Sequence, residues 1–167
     1  MADDDPLSAR VGERETLIGT LDWFRGVIAH KLDGLSLDDA TKVMTASGLS
    51  MLGVVAHLAW AERLWFRWRF ANEDLDVALS GDDNSETFTL GPDDTIESVL
   101  ATYADENEKA RVIVGTAKSL DDVAPRESRL HGLVSLRWLL VHMIEETARH
   151  AGHLDIMREQ LDGHTGD

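Results

Sequence analysis

Leu136-Arg-Trp-Leu-Leu-Val-His142-Met-Ile-Glu-Glu146-Thr-Ala-Arg-His150-Ala-Gly-His153 is the stretch on which the reading of this chain turns. Apolar residues recur through it and beyond it, at Leu133, Leu136, Leu140, Met143, Ile144, Ala148, Ala151, Leu154, Met157 and Leu161. That spacing is helical. Inside the run, His142, Glu146 and His150 follow one another at four-residue intervals, with His153 three further on. Side chains four apart stand one above the other on a helix, so Glu146 and His150 reach a common point. A carboxylate oxygen and an imidazole nitrogen so placed are two of the three donors of an open metal site. Glu145 and Arg149 point elsewhere and form an ordinary surface pair.

The third donor has to come from another helix. Ser50 is a natural N-cap, and the segment it opens runs to about Phe70 with little polarity. A helix apolar nearly all round is central or lies at a subunit contact, which admits a homodimer. His57 stands alone in it and completes a two-histidine, one-carboxylate set with Glu146 and His150. His153 in place of Glu146 is the alternative ligand, ranked second because pairs four apart converge on one ion more readily. Zinc suits the set, and ferrous iron or nickel accepts it too. His142 and His153 flank the ligands as residues that orient them or move protons. Trp60, Trp65 and Trp68 are core mass or the wall of a cofactor pocket.

Two further helices are expected. One begins near Glu13 with Leu17, Leu21, Phe24, Ile28 and Leu32, and stops at Gly34. His30 near its end faces solvent. The other is capped by Thr95 and carries Ile96, Val99, Leu100, Tyr103, Ala110, Val114 and Ala117. Asn107 interrupts its inward side, as a buried hydrogen-bonder or as a contact to a bound cofactor. Residues 35–49 make a connector with one helical turn near Asp38–Val43. Residues 71–94 make a long acidic crossover, with Phe88 and Leu90 tacking it to the body. They resemble a calcium loop only loosely. Residues 119–134 form a further connector, and Ser135 caps the last helix, which ends near Gln160. The expected architecture is all-α, a four-helix bundle with long crossover connections, in one domain over residues 1–167. Residues 1–12 and 163–167 are expected as loose tails.

Composition narrows the function. The 167 residues include 31 acidic and 16 basic ones, a formal net charge of −15. That disfavours nucleic acid and anionic membranes as partners. No apolar run reaches the length of a membrane helix, and the acidic N-terminus is no secretory signal, so a cytoplasmic protein is expected. There is no cysteine, so any thiol chemistry must use a thiol brought from outside.

Ser47-Gly-Leu-Ser-Met-Leu-Gly-Val-Val-Ala-His57-Leu, with Glu62-Arg-Leu-Trp-Phe after it, and the Leu136–His153 stretch, followed by Asp155, Arg158, Glu159 and Asp162-Gly163, together resemble the DinB-like metalloenzyme superfamily. They are most similar to its actinobacterial branch related to mini-circle proteins. The resemblance covers nearly the whole chain. It implies one metal on a histidine of the second helix and an H/E-x-x-x-H pair on the fourth, here His57, Glu146 and His150. Many members have His where this chain has Glu146; Glu there resembles the mycothiol-dependent maleylpyruvate isomerases. The resemblance implies a metal-dependent thiol S-transferase for detoxification. It would activate a low-molecular-weight thiol, mycothiol, for conjugation to an electrophilic small molecule. The alternatives it leaves are a mycothiol-dependent maleylpyruvate-type isomerase and a non-enzymatic metal-binding stress protein.

Overall fold

The computed structural model describes residues 11–77 and 85–166. Helix α1 is Glu13–His30, α2 is the short Leu37–Thr41, and α3 is Met51–Glu62. A π-helix, Arg63–Phe70, continues α3 without a break. A 3₁₀ turn at Ser85–Phe88, then α4 (Ile96–Thr116) and α5 (Leu136–Asp162), complete the chain. The fold is all-α; among the described residues β pairing is limited to isolated bridges in the connector before α5.

The helix starts follow local chemistry. Ser50 Oγ accepts from Gly53 N–H and Ser135 Oγ from Trp138 N–H. Thr95 and Ser98 form a reciprocal capping box. Each such cap is worth about 1 kcal/mol. Gly163, in the left-handed region at φ 78°, ends α5.

The sequence expects a plain α-helix through Phe70, and here the structure differs. Over Arg63–Phe70 the turns are wider, and the Ala71 N–H donates to the Phe66 carbonyl at 2.8 Å. Trp65 and Arg69, four residues apart, share one side, with the Arg69 guanidinium 4.5 Å over the Trp65 ring. Asn72, at φ 58°, closes the segment; asparagine tolerates that conformation better than most residues.

Helix α1 lies along α5, α3 lies along α4, and α3 also meets α5. Two apolar cores result. One gathers Ile28, Val54, Leu58, Tyr103 and Leu154; the other gathers Leu21, Phe66, Ala110, Leu136, Leu140 and Met143. Burying each large side chain is worth about 1.5–3 kcal/mol. Each of the four long helices contributes residues to both cores, and polar residues mark the change from one to the other. At that waist stand Arg25, Glu62, Asn107, Glu146, Thr147 and His150. Met51, Leu52, Val54, Val55 and Leu58 are fully buried by their own chain, so the apolarity of α3 needs no subunit partner to explain it.

The crossover between Phe70 and Ile96 presses on α3. A Cβ on Gly53 would lie 2.5 Å from the Phe88 carbonyl oxygen, so only glycine permits this approach. Phe88 packs against the first core, as expected, and so does Leu90. The middle of the crossover, 78–84, and residues 1–10 lie outside the described residues, including much of the acidic loop likened to a calcium site. Residues 163–166, expected to be loose, are tied by Lys31, whose Nζ donates to the Gly166 carbonyl.

Candidate metal centre

His57 comes from the middle of α3, and Glu146 and His150 come from successive turns of α5. Where the helices meet, one donor atom from each residue lies within 4.8 Å of the other two. His57 Nε2 is 3.0 Å from Glu146 Oε1, and His150 Nε2 is 3.4 Å from the same oxygen. Both histidines are buried, and the Glu146 side chain is 13% exposed. The i, i+4 spacing therefore brings Glu146 under His150, and helix packing supplies His57.

The surroundings hold each ring in place. Thr87 Oγ1 bonds His57 Nδ1 at 2.6 Å. A hydroxyl can donate or accept, so it suits either tautomer of the ring. Phe88 lies almost parallel to His57, with centroids 4.0 Å apart and planes at 10°. Trp60 also stacks on His57, at 5.8 Å, and its indole N–H is buried without an acceptor. His153 Nδ1 is 3.3 Å from His150 Nδ1, which leaves His150 Nε2 turned to Glu146. Arg149 pairs with Glu145 as expected, but it also donates to Glu146 Oε2 at 3.2 Å. That fixes the carboxylate with Oε1 inward.

Protonation fits a cation. Hydrogen bonds from His150 and His57 hold the Glu146 carboxyl well below the usual carboxylate range, so it is ionised at neutral pH. Burial pushes His57 below its ordinary value, against the opposing pull of Glu146. A neutral imidazole is the form that ligates. A tetrahedral ion with bonds of about 2.0–2.1 Å has donor–donor edges of about 3.3–3.4 Å. The 3.4 Å separation matches such an edge, and the 3.0 Å one, a hydrogen-bonding distance, is shorter than it. Three donors leave a fourth position for a small ligand.

The remaining candidates fall in three places. Trp60 and His153 border the centre. His142 stands one turn before Glu146 and packs against Trp65 and Trp138, with centroids at 4.5 and 5.0 Å. Burial lowers its pKa. Asn107 is buried elsewhere, in a groove of about 420 Å³ between α1 and α4 lined also by Asp22, Arg25, Tyr103 and Arg111. Its Oδ1 and the Tyr103 hydroxyl are buried without partners. Sequence reasoning missed Thr87 and the second contact of Arg149. Nothing periodic marks Thr87, whereas the three-residue spacing of Glu146 and Arg149 could have suggested theirs.

An all-α fold that offers two imidazoles and one carboxylate from two packed helices is that of the DinB-like superfamily. Residues 16–163 match the family model described as mycothiol-S-transferase, and the chain belongs to that family. No curated protein matches it in sequence. Among the described residues, no helix is long and apolar enough to cross a membrane.

Proposed function

We propose that this chain is a single-domain, metal-dependent S-transferase of the cytoplasm that joins mycothiol to an electrophilic small molecule. The observation that carries the reading is the convergence of His57, Glu146 and His150 within 4.8 Å, in a member of the mycothiol-S-transferase family. A divalent cation there, zinc by the chemistry of the donors, would lower the pKa of a thiol so that it is a thiolate at neutral pH.

The chain's own residues then have defined tasks. His57, Glu146 and His150 hold the cation, and Thr87, His153 and Arg149 orient them. Burial keeps the His153 pKa below its ordinary value, so the ring is neutral and its Nε2 takes the thiol proton. The Trp60 indole N–H, which lacks an acceptor, donates to the bound thiol or electrophile. Phe88 and Trp60 keep water from the His57 ring. The sulfur–carbon bond forms as the leaving group departs with its electron pair.

The test is elemental analysis of purified protein beside a mycothiol conjugation assay. About one equivalent of metal is expected, with loss of that metal and at least a hundredfold loss of turnover in His57→Ala and His150→Ala. Full turnover in either variant would refute the assignment.

A further inference from the structure

Three cations are buried among the described residues: Arg25, Lys31 and Arg69. Arg25 is paired with Glu62, and Lys31 with Asp155. Among the described residues Arg69 is ion-paired with no carboxylate. It is 6% exposed, its Nη1 donates to the Glu127 carbonyl, and its Nε is buried with no acceptor. Burial alone drives its pKa down. The chain carries 31 acidic residues against 16 basic ones, so a carboxylate partner was not scarce. Stacking on Trp65 and Trp68, at 4.5 and 5.5 Å, returns only part of what desolvating a full charge costs. A buried charge with no counter-charge of its own is a place for an external one.

Its position says what the counter-charge belongs to. Trp65, under Arg69, touches His142 and Trp138. Trp138 and His142 are stacked at 5.0 Å with planes at 14°, and His131 lies 4.8 Å beyond Trp138. His142 is one helical turn from Glu146. An aromatic face thus runs from the metal centre to Arg69, over roughly 15 Å by helical rise from His57. Arg126, 4.5 Å over Trp68 and bonded to Asn72, adds a second cation at the far end.

We infer that this face binds a planar, conjugated acid as the electrophile, its ring on Trp138 and His142 and its carboxylate on Arg69. The inference rests on the transferase reading for its chemistry but not for its binding. In the reaction used to test it, the mycothiol sulfur bonds to the chlorine-bearing ring carbon. The carbon–chlorine bond breaks, chloride leaves with the electron pair, and the thiol proton passes through His153 to solvent.

The first experiment titrates the wild-type protein with nitrobenzoate and with nitrobenzamide, its neutral isostere, by calorimetry. The acid is expected to bind at least tenfold more tightly, with an advantage that shrinks as salt is added. Equal affinities would overturn the inference. The second compares kcat/KM for chlorodinitrobenzoate and chlorodinitrobenzamide. The acid-to-amide ratio is expected to fall ten- to a hundredfold in Arg69→Met and to recover in part in Arg69→Lys. A ratio the same as wild type in Arg69→Met would also overturn it. If Arg69→Met fails to fold, the wild-type titration decides alone. The titration requires no turnover, so acid binding without conjugation would sink the transferase reading only. Conjugation without acid preference would sink this inference only.

Discussion

Two buried polar clusters share the waist of the molecule, and they differ in kind. On one side, Arg25 grips Glu62 through Nε and Nη2 at 2.8 and 2.6 Å, a closed pair with donor and acceptor both supplied. On the other, His57, Glu146 and His150 bring two imidazoles and one carboxylate to a single point, with one carboxylate charge between them. The first cluster is complete as it stands. The second gathers the donor set that a cation would fit. The same depth in the same core thus serves either cohesion or binding, and the balance of donors and acceptors tells which.

The largest effect that would test this contrast is on stability. Removing one member of a buried pair leaves an uncompensated charge and costs about 3–5 kcal/mol. Glu62→Ala should lose that much in urea unfolding, equally with and without chelator. Wild type should lose about 2.7 kcal/mol on chelation if metal had been present at a hundred times its Kd. A chelator effect confined to Glu62→Ala, or absent from wild type, would erase the distinction.

A smaller effect concerns acid. In the metal-free protein the folded-state pKa values of His57 and His142 are lowered by burial. The unfolded chain therefore takes up protons first as pH drops. Stability is fully present above about pH 6.5 and is lost below it, by up to about 1.4 kcal/mol per pH unit for each ring. Urea midpoints of chelated protein at pH 7.5 and 5.5 check this, and an unchanged midpoint would contradict it. Because acid also strips metal from imidazole, the loaded protein should lose its extra stability over the same range.

The smallest effect lies at Gly53. An alanine methyl there meets the Phe88 carbonyl, so Gly53→Ala should displace the crossover at a cost of about 1–3 kcal/mol. Phe88 and Thr87 would move off His57, and metal affinity should fall about tenfold or more. The Arg25–Glu62 ion pair should not respond. Native metal affinity in Gly53→Ala would detach the crossover from the centre.

Local rules made much of this legible. Ser50, Thr95 and Ser135 cap their helices because a hydroxyl reaches N–H groups two or three residues on, a relation visible in sequence. Glu146 and His150 could be paired because four residues make one turn. His57 stood out as a lone polar ring in an apolar helix. The π-helix was not legible, since no local rule marks Arg63–Phe70, and its Trp65 packs against Trp138 and His142, residues more than seventy positions away. Thr87 was hidden because a crossover has no period to read. The Arg25–Glu62 pair was hidden because charge alone does not name a partner 37 residues off.

The two apolar cores carry a consequence for how the molecule comes apart. Val54 and Leu154 belong to one packing unit, and Leu140 and Phe66 to the other, although each helix serves both. Substitutions in different units share no neighbours, so their destabilisations should add, while substitutions within one unit should not. The layer between them, held by ion pairing on one flank and by imidazoles on the other, is then the plane across which the halves are coupled.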